Sequence, residues 1–510
     1  MYSWRNDRKA FQQRQFRYRL YEEDVLVSTV MLRTSKVKKE KIARVTASMF
    51  VKHNSCPHWV YFDAYGDSKK KGKTTAFSEM LLESGVLHEK EVISGLTFVE
   101  PKGRGIEARA KDTVRLMKEG VERIYHGVLL AGDMVGEPDL LERRDDKSSD
   151  IGPYHYVAVE IINAERISDA HKGQLSLYGE LLLAVQGRRP AFGEVLNASG
   201  VRIAFELKEF KKDFEQALAE IREAVAGRCP PPHVSSGCKQ SPWFGECKAL
   251  AEQKDDVALL YNVKKKYILL LRATGVRTVH DAARVNPARL AEAEPRLPRE
   301  LLERIVLQAT ALIEKEHYVR RPIVLPEAPF EIFFDIEGDP LRQVEYLFGF
   351  LVRQGAREKY VKMIAERPEH EERMWEEFLE WLESLPQEYV VYHYGDYERS
   401  RLAMLESAYR GSKALTRFVS RLVDLNTIVK DSIVFPLYFY GIKDIGGYIG
   451  YKRLGKIKGG GESVAFYEEW LTSGKRKKLD DIILYNEDDV IATRFLKDWL
   501  AGEKEVGSGE

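Results

Sequence analysis

Three prolines within eight residues, in R-R-P-I-V-L-P-E-A-P from Arg320 to Pro329, divide this chain. Proline fixes φ and removes a backbone donor, so neither a helix nor a central strand runs through such a stretch. It reads as a linker. Before it, residues 256–318 read as short helices punctuated by G-V-R-T, N-P and R-L-P-R, with helix starts at Thr278 and Pro298. After it, F-E-I-F-F-D-I-E opens on a strand, and the remainder alternates strands with helices, as an α/β domain does. Further upstream, residues 76–225 mix both: H-G-V-L-L-A-G, G-E-P-D-L-L-E and Y-H-Y-V-A-V-E-I-I read as successive strands, and G-Q-L-S-L-Y-G-E-L-L-L-A-V as an amphipathic helix behind them. The expected organisation is multidomain α/β, with boundaries near 1–250, 256–318 and 328–500.

Composition narrows the function classes. A hydrophobic fraction of 44% in 510 residues supports several cores, and a net charge of +1 means that any nucleic-acid surface must be local. The basic segments are Arg5 to Arg19, Lys36 to Lys41 and Lys69 to Lys73. The last ends in G-K-T and mimics a phosphate loop. Five residues separate Gly66 from Gly72, however, where G-x-x-x-x-G-K-[ST] needs four, so an ATPase is rejected. Four cysteines do not make a disulfide scaffold in a chain this long. With no apolar run approaching the roughly 18 residues of a membrane span and no apolar core at the N-terminus, a cytoplasmic protein without membrane partners is expected.

The chemistry concentrates after the linker. Side chains alternate along a strand, so Asp335 and Glu337 point the same way and can grip one divalent cation. A lone D-x-E pair is common and reads as a solvated strand end. Next, E-Y-V-V-Y-H-Y-G-D-Y-E-R is a buried strand running into acids. In Y-N-E-D-D-V-I-A-T-R-F-L, Tyr485 and Asp489 stand four apart on one helical face, where a phenol can orient water beside a metal-binding carboxylate.

That order of D-x-E, an acid after a middle strand and Y-x-x-x-D on a late helix resembles the DEDDy exonuclease superfamily over about residues 328–500. The segment G-I-K-D-I-G-G-Y-I-G is similar to that family's "LKD…LG", closest to the YprB-type RNase H-like branch. The resemblance implies a two-metal exonuclease in which Asp335, Glu337, Glu398 and Asp489 bind Mg²⁺ or Mn²⁺ and Tyr485 positions the water. Two acids contend for the middle ligand. Glu398 stands in the family's frame and Asp396 two residues earlier, while the family's Asn is His393 here.

Residues 45–250 resemble the RecB-type PD-(D/E)XK nucleases that carry an iron–sulfur cluster, on T-A-S-M-F-V-K-H-N-S-C-P, G-V-L-H-E, G-E-P-D-L-L, V-A-V-E and Q-L-S-L-Y. The resemblance implies a restriction-endonuclease-like fold with a second metal site from His88, Asp139, Glu160, Gln174 and Tyr178. In that family the strand reads E-x-K, and the lysine helps activate water. Here Ile162 takes its place and can neither carry charge nor donate a hydrogen bond. Lys172 is nearby in sequence but off the Gln174/Tyr178 face, which His171 shares. An impaired site that still binds nucleic acid is therefore expected. The family's cluster cysteines correspond to Cys56, Cys229, Cys238 and Cys247, implying [4Fe–4S], with zinc the alternative for four thiolates. Ser241 occupies the usual middle-ligand position, so an incomplete cluster is also open. Residues 256–318 resemble helix–hairpin–helix modules in A-T-G-V-R-T-V-H-D-A-A, whose turns contact phosphate without reading sequence; a plain helical connector fits equally.

Together these readings give a metal-dependent exonuclease acting 3′→5′ on single-stranded DNA or RNA, with helicase or repair and CRISPR-type proteins as its implied associates. The competing reading is an inactive, iron–sulfur nucleic-acid scaffold in such a complex. The acidic set favours the enzyme, and Ile162 favours the scaffold for the N-terminal half alone.

Overall fold

The computed structural model describes residues 44–503, so the basic segments Arg5 to Arg19 and Lys36 to Lys41 lie outside the described residues. Two compact units divide the described chain, one running to Leu259 and the other beginning at Leu260 and also taking in Thr75–Phe77.

The first unit is built on a five-stranded sheet of β1 (Arg123–Tyr125), β2 (Leu140–Arg144), β3 (His155–Ile161), β4 (Phe192–Leu196) and β5 (Arg202–Glu206), in that order across the sheet. Only β3 and β4 are parallel. Parallel neighbours need a crossover, and the helix Asp169–Gln186 supplies it. A Ser168/His171 capping box starts that helix, and Gly187 at φ 66° ends it. Leu175, Leu177, Tyr178, Leu181 and Leu182 from the helix meet Tyr156, Ala158 and Ile162 from the sheet in one core. The three strands and the helix read from H-G-V-L-L-A-G to L-L-L-A-V all form.

In the second unit come helices Lys265–Ala273, Val279–Ala283, Pro287–Ala293 and Arg299–Glu314, started at Thr278 and Pro298 as their sequences indicate. Thr278 and Asp281 form a capping box. These helices cluster with the residues after the linker: Gln308 of the helix Arg299–Glu314 donates to the Leu437 carbonyl, and Tyr261, just before the helices, stacks on Tyr440 at 3.9 Å.

Strands β6 (Phe330–Asp339), β7 (Val344–Gln354), β8 (Arg357–Ile364), β9 (Val390–His393) and β10 (Leu422–Asp424) then form a mixed sheet in the order β8-β7-β6-β9-β10. The β6–β7–β8 meander is antiparallel, and β9 and β10 run parallel to β6. Alternation on β6 sends Ile332, Phe334 and Ile336 into an aromatic core with Phe348, Phe350, Trp375 and Phe378. Phe333 packs on the opposite face with Val490, Leu496 and Leu500 of the helix Arg476–Gly502. That face also carries Asp335 and Glu337. Among the described residues no helix is long and apolar enough to cross a membrane.

Candidate metal centre

The helix Arg476–Gly502 lies across β6 and β7 and brings its Tyr485/Asp489 face to the carboxylates of β6. Asp335, Glu337 and Asp489 each offer an oxygen, all within 4.8 Å of one another. Like charges this close resist ionisation together. Burial, and then the charges of Glu337, Asp489 and Glu398, push the Asp335 carboxyl well above the usual carboxylate range. Glu337 is pushed up to about 8, by burial first and Asp489 next. A divalent cation would relieve that repulsion, and an all-oxygen donor set suits the hard ions Mg²⁺ and Mn²⁺.

Of the two contenders for the middle acid, Glu398 is buried in the first turn of its helix, Tyr397–Ala408, whereas Asp396 is the exposed residue before it. Glu398 lies close enough to Asp335 for its charge to be felt there, and its Oε2 stands 3.3 Å from His393 Nδ1. Burial raises the Glu398 carboxyl, an effect His393 partly offsets. The Tyr485 hydroxyl accepts a hydrogen bond from Lys443 Nζ at 2.9 Å, and the same ammonium lies over the tyrosine ring.

Sequence patterns did not single out the supporting residues. Asn486 donates to Asp335 Oδ2 at 2.8 Å and accepts from the Tyr360 hydroxyl at 2.8 Å. Gly349, the cross-strand partner of Asp335, leaves the room: a Cβ there would collide with Asn486 Oδ1. Where the β6–β7 register shifts after Glu337, Tyr346 is the extra residue on β7, and bulges of this kind re-aim side chains beside functional sites. The Tyr346 hydroxyl bonds Ser463, which in turn hydrogen-bonds Glu337. Arg453 ion-pairs with both Asp488 and Asp489. Lys443 lay in the segment matched to "LKD…LG", the only one of these with any signal in the sequence.

In the first unit, β3 turns Tyr156, Ala158, Glu160 and Ile162 to one face, and Ile162 is buried in the core there. Glu160 has a buried Oε1 without a hydrogen-bond partner, and its carboxyl is raised well above normal by burial and by Asp139. Asp139 accepts from the Ile161 amide at 2.7 Å and is pushed up to about 7, by burial first and with Glu89 adding to it. The ligand atoms that converge with Asp139 are those of Glu89 and His126, all within 4.8 Å of one another. His88 sits one residue before Glu89 with a buried, unpartnered Nε2 and is outside that group. Neither Glu89 nor His126 was legible as a site residue, although His126 is held at φ 50°, a strained conformation outside glycine. Tyr178 hydrogen-bonds Glu160, and Gln174 is half-buried one turn earlier on the same helix. Lys172 is engaged elsewhere, bonded to Asp169 at 2.9 Å and lying over the Phe210 ring, while His171 serves the helix cap.

Of the four cysteines, Cys56, Cys238 and Cys247 are buried in one cluster with Trp243, whereas Cys229 is exposed. Ser241 is buried, and its hydroxyl accepts from the Trp243 amide.

A family model of the RNase_H superfamily matches residues 332–501, from β6 to the last helix. No curated protein matches the chain. These residues therefore form an RNase H-like domain, a fold consistent with metal-dependent phosphodiester hydrolysis and with Mg²⁺ or Mn²⁺ as cofactor.

Proposed function

We propose, on the premise of an RNase H superfamily domain at residues 332–501, that this protein is a 3′→5′ exonuclease on single-stranded nucleic acid, with Asp335, Glu337, Glu398, Tyr485 and Asp489 as its working site. The observation that carries the proposal is the convergence of Asp335, Glu337 and Asp489 within 4.8 Å, with Glu398 and Tyr485 beside them. The four carboxylates would hold Mg²⁺ or Mn²⁺, which when bound neutralises phosphate charge and lowers the pKa of the attacking water. Tyr485, fixed by Lys443, orients that water. Asn486 holds the Asp335 carboxylate in place through a hydrogen bond to its Oδ2.

The test is the full chain with Mn²⁺ and single-stranded DNA and RNA labelled at either end. Stepwise shortening from the 3′ end is expected. No cleavage, or shortening from the 5′ end, would overturn the reading. The metal itself gives a second expected result. Saturating Mg²⁺, about 100-fold above its dissociation constant, stabilises a protein that binds it only when folded by about 2.7 kcal/mol. The melting temperature should therefore rise in the parent chain and stay unchanged in Asp335→Ala; an equal rise in both would place the ion elsewhere.

The RecB-like first unit is assigned mainly to binding. Ile162 shares the strand face of Glu160, at the position where the enzymes it resembles carry a lysine, and Lys172 is held by Asp169. Glu160→Ala should change cutting less than about 2-fold, whereas Asp489→Ala should stop it. The reverse result, read in the same end-label assay, would make the first unit the enzyme.

A further inference from the structure

The buried cysteine cluster contains a histidine that the four-cysteine pattern does not. His58 follows Cys56 by two residues, in the first turn of the helix Pro57–Tyr65, which Cys56 caps. It is wholly buried, and its Nδ1 has no hydrogen-bond partner. Its Nε2 is 2.8 Å from the Pro230 carbonyl oxygen, the arrangement in which a second nitrogen, by donating to a carbonyl, fixes ring and tautomer and leaves the first free to ligate. A ligand atom of His58 lies within 4.8 Å of both the Cys56 and Cys247 sulfurs. Cys238, on the short 3₁₀ turn Ser236–Gln240, is buried in the same cluster but outside that group of three, its thiol against the His233 carbonyl and the Ser235 hydroxyl.

The sulfur spacing discriminates between metal groups. Cys56 Sγ and Cys247 Sγ are 3.6 Å apart. Two thiolates on one tetrahedral zinc, each at about 2.3 Å, stand roughly 3.8 Å from one another. Thiolates on different corners of an iron–sulfur cube are spread by the whole cluster between them and stand much further apart. The fourth cysteine a Cys₄ cluster would use, Cys229, is exposed, while the other three are buried. Cys56, His58 and Cys247 therefore fit a single ion, with Cys238 the remaining thiol of the buried cluster, and the four cysteines do not fit [4Fe–4S]. We propose that Cys56, His58, Cys238 and Cys247 form a structural zinc site that pins the start of the helix Pro57–Tyr65 to the segment Ser236–Gln253. It goes beyond the nuclease reading and does not depend on it.

The full chain, purified anaerobically without added metal, should be colourless and hold about one zinc, with no iron, by elemental analysis. Exchange with Co²⁺ should give the intense visible bands of a tetrahedral site together with sulfur-to-cobalt charge transfer. Cys229→Ser should leave metal content and spectrum unchanged. His58→Ala should lose the ion, and His58→Cys should recover cobalt binding with a red-shifted spectrum, which a merely structural histidine would not produce. A brown, iron-containing protein whose colour is lost in Cys229→Ser would overturn the proposal, as would a metal-free chain that takes up no cobalt.

Discussion

Asp335→Ala is expected to lower nucleolytic activity by a factor of at least about 10³, while the chain stays folded. The carboxylate sits among Glu337, Asp489 and Glu398, and its burial there is unfavourable while it is charged. Removing it relieves repulsion, so without divalent metal the variant should melt no lower than the parent. This separation distinguishes a catalytic acid from a structural one: a carboxylate held for stability would lose activity and melting temperature together. The measurement pairs the end-label assay in Mn²⁺ with a thermal melt in chelator. Full activity in the variant would remove the acidic centre as the working site.

Gly349→Ala should also be damaging, by a smaller factor, although glycine has no side chain of its own. A methyl group at this position occupies the space of Asn486 Oδ1, and Asn486 is wedged between Asp335 and Tyr360. The backbone of β7 is paired with β6 at Asp335↔Gly349 and cannot retreat. Asn486 must leave, and a lost partner of a metal-binding carboxylate typically costs 10–100-fold in metal affinity or activity, with about 1–3 kcal/mol of stability lost to overpacking. The double variant Gly349→Ala/Asn486→Ala separates the two effects. It should recover most of the stability and none of the activity. Recovery of neither would mean that the clash lies with the Tyr360 hydroxyl, the next nearest side chain.

What the sequence disclosed follows from which forces are local. Periodicity and caps are local, so the strand of D-x-E, the Thr278 and Pro298 helix starts and the Tyr485/Asp489 face are all legible in the sequence. The proline-marked stretch carries no regular structure from Pro322 to Ala328, as proline chemistry requires. Long-range pairing was not readable. Glu89 meets His126 and Asp139 only through the fold, where Tyr125 of β1 and His126 both bond its carboxylate, and nothing in G-V-L-H-E distinguishes Glu89 from its neighbour His88. Asn486 and Arg453 reach the acids from the helix interior and from a loop, positions with no repeating signature. His58 has no signature of its own in the sequence, because a lone histidine two residues from a cysteine looks like ordinary core.

The two units have separate hydrophobic cores, one around Tyr156 and Tyr178 and the other around Phe334 and Phe378. Cooperative unfolding belongs to a core and not to a chain, so a single unfolding free energy is not defined for this protein. Scanning calorimetry should resolve the heat absorption into two components whose van't Hoff enthalpies are each smaller than the total. Every substitution and ion then has an address: Mg²⁺ at the acids should move the component belonging to the Phe334 core, and a zinc chelator the one belonging to Tyr156. A ligand that shifted both together would reveal thermodynamic coupling between the halves.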